Sequence, residues 1–198
     1  MIDGKINVTG DAPRLLDNLV KKFPFATALA LTRTAQAGQA AVRENMAAAF
    51  ILRNRFTQNQ VRIAAAKKTD LEAAVYLTHK ADYMVLHETG GVKTPARAAG
   101  VAVPTEQARR NKRGLIPKSG RPRPLRDQRR VFVMDLKNGN RAIVRRRGKK
   151  RTPISVLYIL AEEAKIMPRL EMQRIVQSIA ATEFGSQHEK ALLAELKR

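Results

Sequence analysis

The chain contains no cysteine and no tryptophan, and only three histidines among its 198 residues. Without cysteine there can be no disulfide, no thiol catalysis and no Cys-ligated zinc. The histidines, His79, His87 and His188, form neither an HExxH motif nor an i, i+4 ligand pair. No GxxxxGK[ST], GxSxG or GxGxxG motif is present either. His87-Glu88 beside Gly90-Gly91 has the residue types of a small acid–base site. The same letters also read as a polar strand end leading into a turn, and that is the reading adopted. No enzyme activity, cofactor or metal is expected. Aromatic residues make up only 5% of the chain, so the core must be built from Ala, Val, Leu and Ile. Apolar runs are too short and too often broken by charge to span a bilayer. The opening MIDGKINVTG lacks the charged and apolar regions of a signal peptide. Synthesis inside a cell, with no membrane partner, is the expectation.

What the chain has in excess is positive charge. Its net charge is +21, and the segment Lys93–Arg151 holds 20 Lys or Arg against Glu106, Asp127 and Asp135. A field of this size attracts polyanions or acidic protein surfaces. Zinc-finger ligands and an RNP signature are absent, and Phe132 is the only aromatic residue in the segment, so base stacking is a poor proposal. Backbone neutralisation of nucleic acid remains open. So does pairing with carboxylates, which the Arg fork suits. The candidate contact residues are Arg109, Arg110, Lys112, Arg113, Lys118, Arg121, Arg123 and Arg126, followed by the dense cluster Arg145, Arg146, Arg147, Lys149, Lys150 and Arg151. Along a strand, Arg145 and Arg147 should share one face and Arg146 take the other.

Prolines at 95, 104, 117, 122 and 124 predict an extended basic arm over residues 93–130, inserted into a single α+β body made of 1–92 and 131–198. RPRPLR (Arg121–Arg126) should favour polyproline-II. The arm is expected to order only against a neighbour. Within the body, Asp11 is a plausible N-cap for a short helix, and Pro24 suits the first turn of a long Ala-rich one reaching about Arg53. Leu29, Thr32, Ala35, Gly38, Val42, Met46 and Phe50 make its stripe. Gln60–Ala66 and Leu71–Thr78 read as strands around a Lys67–Asp70 turn. Asp82–His87 is a further short apolar run. Asn138-Gly139 signals a hairpin between Arg130–Leu136 and Arg141–Arg147. Pro153–Leu160 reads as a buried strand. A C-terminal helix follows Pro168, with Gly185 a possible break. The predicted fold is α+β, an antiparallel sheet packed on the long N-terminal helix.

The order of ALALTRTAQAGQAAVRENM (Ala28–Met46), FILRNRFTQNQVRI (Phe50–Ile63), AAAKKTDLEAAVY (Ala64–Tyr76), LHETGG (Leu86–Gly91), VPT (Val103–Thr105), a basic stretch, the hairpin and PISVLYIL resembles the minor tail and tail-completion proteins of long-tailed bacteriophages, the minor tail protein Z type and related neck proteins. The likeness covers about residues 25–170, and LHETGG is its most distinctive piece. It implies a virion structural protein at the head–tail junction, assembled as a homo-oligomeric ring of six or twelve subunits. Its implied partners are the head connector or adaptor, the tail terminator or other tail proteins, and genomic double-stranded DNA in passing. It brings no catalytic residue. A tail terminator is the close variant of this reading, and a sequence-nonspecific nucleic-acid-binding protein is the alternative from another class.

Overall fold

The computed structural model describes residues 12–95 and 100–197, so Asp11, the expected N-cap, lies outside the described residues. The chain forms two compact units, each with its own contacts. One, the helical unit, comprises residues 1–47, 55–82 and 171–198. The other, the sheet unit, comprises 48–54 and 83–170.

Helix α1 runs unbroken over Ala12–Ala49 with Pro24 inside it. Two helices meeting at Pro24 were expected. A proline removes one backbone donor and crowds one carbonyl, and the Ala-rich stretch that follows carries the helix past that defect. The buried row is Ala26, Ala30, Thr34, Gly38, Val42 and Met46, a strict i, i+4 line of mostly small residues. Thr34 satisfies its buried hydroxyl by donating to the Ala30 carbonyl at 2.9 Å. After the short α2 (Phe56–Asn59), β1 (Val61–Ala64) and β2 (Ala74–Leu77) form the expected antiparallel hairpin, pairing Val61 with Leu77. Lys67 and Asp70 close its turn through reciprocal backbone hydrogen bonds of 2.8 and 3.1 Å. Arg43 and Gln39 of α1 donate to the Val61 carbonyl at 2.9 and 2.8 Å, tying the helix to the hairpin.

The expected apolar run at Asp82–His87 is helical: a 3-10 turn, His79–Met84, leads into α3 (Val85–Thr89), and the sheet unit resumes at Tyr83. Gly90 and Gly91 follow with φ of 71° and 142°, positive values that glycine adopts without a steric penalty. Strand β3 (Gly91–Lys93) starts there, and β4 (Val101–Pro104) comes next. Helix α4 is Pro122–Arg126. Strands β5 (Val131–Asp135), β6 (Arg141–Arg146), β7 (Ile154–Ala161) and β8 (Ala164–Ile166) complete the unit. The four-stranded antiparallel sheet has the order β4-β7-β6-β5, and β3 pairs with β8 in a separate ribbon. Only Gly139 of the Asn138-Gly139 pair takes positive φ, 80°, in a loop closed by Leu136 and Asn140. The hairpin is therefore five residues long between strands, not a two-residue turn.

The described residues from 100 to 130 carry strand, short helices and hydrogen-bonded turns where an extended arm was expected. β4 bonds to β7 from Val101–Ala161 to Pro104–Tyr158, and Leu125 of α4 is buried in the sheet's core beside Ile143, Leu157, Tyr158 and Leu160. RPRPLR adopts helix rather than polyproline-II because Pro122 falls at its first position, where a missing N–H costs nothing. Its one apolar side chain, Leu125, then has the sheet to cover. The sheet's core is closed by Leu125, with Ile116, Val131, Val133 and Ala102 packed around it. The two compact units interleave along the sequence. Finally α5 (Met172–Leu196) passes through Gly185 without a break, and completes the helical unit by packing Phe184 and Ala191 with Ala26 and Ala30.

Two glycines should respond oppositely to alanine. A Cβ on Gly38 would meet Val176 and Val75 at 3.6 and 3.7 Å, ordinary contact. Gly38→Ala should therefore stabilise the protein by roughly 0.5–1 kcal/mol through helix propensity. A Cβ on Gly100 would lie 2.9 Å from the Ala161 carbonyl oxygen, which cannot swing aside. Gly100→Ala should destabilise by about 1–3 kcal/mol. Denaturant unfolding of both variants checks the signs.

Candidate partner-binding surface

The sheet unit contains 23 basic and six acidic residues, a net +17, while the helical unit contains 15 and 11, a net +4. All fourteen candidate contact residues lie in the sheet unit. None of the fourteen pairs with a carboxylate among the described residues. The ion pair seen in this unit is Arg141–Asp135, at 3.7 Å.

Local structure distributes the fourteen in three ways. Arg109, Arg110, Lys112 and Arg113 are exposed on the loop after β4. That loop is shaped by Asn111, whose side-chain oxygen accepts from the backbone N–H groups of Arg113 and Leu115 at 3.0 and 2.9 Å. Lys118, Arg123 and Arg126 are exposed on the short helical turns, and Arg121, half-buried, precedes α4. The remainder belong to β6 and its turn. Arg145 is half-buried and donates to the Gln128 side-chain oxygen at 2.7 Å. Arg147 donates to Ser155 Oγ at 2.8 Å. Arg146 lies over the Phe132 ring at 5.0 Å. Ser155 is the cross-strand partner of Arg145, so Arg145 and Arg147 work on one side of the ribbon and Arg146 on the other, the alternation a strand imposes. Lys149, Lys150 and Arg151 are exposed on the turn before β7.

The structure brings Arg109 and Arg145 to one pocket of about 210 Å³, together with Gln107, Ser119, Gln128 and Tyr158. The Tyr158 hydroxyl donates to the Gly120 carbonyl at 2.8 Å. Burial pushes its pKa up, and the nearby Arg110, Arg121 and Arg53 pull it back. Sequence reasoning missed Tyr158 and Gln128. Their roles come from separated segments meeting, and no local pattern marks that meeting.

The histidines are engaged separately. His188 stacks on Phe184 at 5.7 Å, meets Phe23 edge-on at 5.1 Å and shares a 3.0 Å hydrogen bond with Thr27. His79 is exposed in the 3-10 turn. His87 meets Phe50 edge-on at 5.1 Å, and its backbone carbonyl accepts from the N–H groups of Arg169 and Leu170 at 2.7 and 2.9 Å. The HETGG piece thus anchors the chain entering α5. Among the described residues no three His, Asp or Glu side chains are grouped to hold a metal, and no helix is long and apolar enough to cross a membrane.

Burial holds the His87 pKa below its ordinary value, and the charges of Arg169 and Lys93 lower it further. The unfolded chain therefore binds this proton more tightly than the folded one. Stability should fall as pH drops below about 6.5 and level off once the folded-state value is passed. In His87→Gln the drop in denaturant midpoint between about pH 7.5 and 5.5 should shrink.

A family model described as prophage minor tail protein Z (GPZ) matches residues 9–198. Searches of curated proteins and of solved structures give no match.

Proposed function

The chain belongs to the prophage minor tail protein Z family, and from that premise we propose that it is the neck component that joins the head connector to the tail of a long-tailed phage. The family match over residues 9–198 carries this reading, since it makes the chain a structural phage tail protein and so a component of the virion. In the proposal the protein acts as a ring of identical subunits, six or twelve, placed at the head–tail junction. The asymmetry of charge supports such a place: a unit of net +17 with so few internal ion pairs needs counter-charge from outside. Neighbouring rings and the DNA that passes through them would supply it.

Deletion of the gene from an inducible phage should leave filled heads and finished tails unjoined in negative-stain images of the lysate. Joined, infectious particles at normal yield would overturn the proposal. Tails of uncontrolled length would make the protein a tail terminator instead. Removing residues 93–130 is not a clean test, since β4 and Leu125 are parts of the sheet unit. Replacing Lys149, Lys150 and Arg151 with serine leaves every observed strand pairing in place. In a complementation assay this triple variant should lower titre by roughly tenfold or more, the effect of losing ~1.4 kcal/mol or more at an interface.

A further inference from the structure

The pocket beside Tyr158 has a composition unlike the rest of the basic surface. Its floor is apolar: Leu125, Leu157 and Ala108 are all buried. Its rim is rich in donors, with Arg109 and Arg145 as its charged members, and no carboxylate lines it. Arg145 is held in place by Gln128, which accepts one of its N–H groups at 2.7 Å and leaves the others to a guest. Arg121 Nε, just before α4, is buried without a hydrogen-bond partner. Arg109 and Arg145 are the two guanidinium groups on the cavity itself.

We propose that this pocket receives the carboxylate of a glutamate or aspartate on an acidic segment of a neighbouring protein in the particle. The idea rests on the reading that the protein works against protein neighbours in the tail. The guanidinium fork suits carboxylate and phosphate alike, so the floor and the shape decide between them. The methylene stem of a glutamate can lie on Leu125 and Leu157, whereas a phosphate has no apolar part to bury. A duplex presents its phosphates on a convex cylinder, about one charge per 1.7 Å of axis. Such a surface is met by exposed cations in a row, not by a pit of about 210 Å³.

The test uses the full-length purified protein at near-physiological salt. Two probes are followed by fluorescence anisotropy: a labelled oligoglutamate peptide and a labelled DNA duplex. Arg109→Gln with Arg145→Gln removes two charges from the pocket, and Lys149→Gln with Lys150→Gln removes two from the exposed turn. The pocket variant should bind the peptide roughly tenfold more weakly than the turn variant does. Both should weaken the duplex by similar factors. Equal loss of peptide affinity in the two variants would mean that only the overall field attracts it, and would overturn the proposal. So would a pocket variant that selectively loses the duplex, because the pocket would then be a phosphate site. Should the double variant melt early, Arg109→Gln alone keeps the test open, since that side chain is exposed. The binding result is independent of whether heads and tails join in the deletion lysate, so the two readings can fail separately.

Discussion

Like charges crowded on one small unit repel one another, and folding that unit brings them closer than they lie in the open chain. The sheet unit accepts this cost, with 23 basic residues and six acidic ones. Its strands stay together because the centre is apolar on both sides: Ala142, Ile143 and Val144, consecutive on β6, are all fully buried. The cations are pushed to the ends of strands, to turns and to the loop after β4. Neutral acceptors steady some of them, the Gln128 oxygen for half-buried Arg145 and Ser155 Oγ for exposed Arg147. A neutral partner fixes a guanidinium without cancelling its charge. The positive field is thereby retained for something outside the unit.

The helical unit follows a different logic. Its charges nearly balance, and its packing depends on closeness rather than bulk. The i, i+4 line of Ala26, Ala30, Thr34, Gly38, Val42 and Met46 lets neighbouring elements come close to the α1 backbone, so that Val75 of β2 and Val176 of α5 both reach Gly38. Small residues bury little area each, which places the burden on length. Helices of 38 and 25 residues supply it.

Much of this was legible in the sequence wherever the determining interaction is local. The Lys67–Asp70 turn, the hairpin at Asn138-Gly139, the glycine pair 90–91, the buried β7 and the long Ala-rich helix each follow from a handful of adjacent letters. The failures have a common cause. Prolines at 104, 117, 122 and 124 signal the absence of long regular structure, which is compatible with short strands and helical turns as well as with an extended arm. Pro104 can end an edge strand because β4 is paired on one side only. Pro122 can open a helix. The decisive fact, that Leu125 seats among Ile143, Leu157, Tyr158 and Leu160, is a contact across a long sequence separation. Nothing in RPRPLR announces it. Pro24, expected to open a second helix, and Gly185, a possible break, both lie inside continuous helices that packing carries through them.

The same distinction applies to the candidate surface. Charge is additive, so the sequence alone locates the basic region and its excess. A pocket is not additive. It requires Arg109 from one loop, Gln128 from another, Arg145 from β6 and Tyr158 from β7 to converge. An evenly spread basic surface would bind any polyanion in proportion to charge, with affinity falling steeply as salt rises. Two arginines on an apolar floor can discriminate, because a guest must match both the donors and the shape. In a particle where DNA is abundant and strongly charged, discrimination of this kind is what would let a basic protein choose a protein neighbour over the genome beside it. A field alone draws anions of every kind, whereas a concave site on an apolar floor would favour one with a side chain to insert.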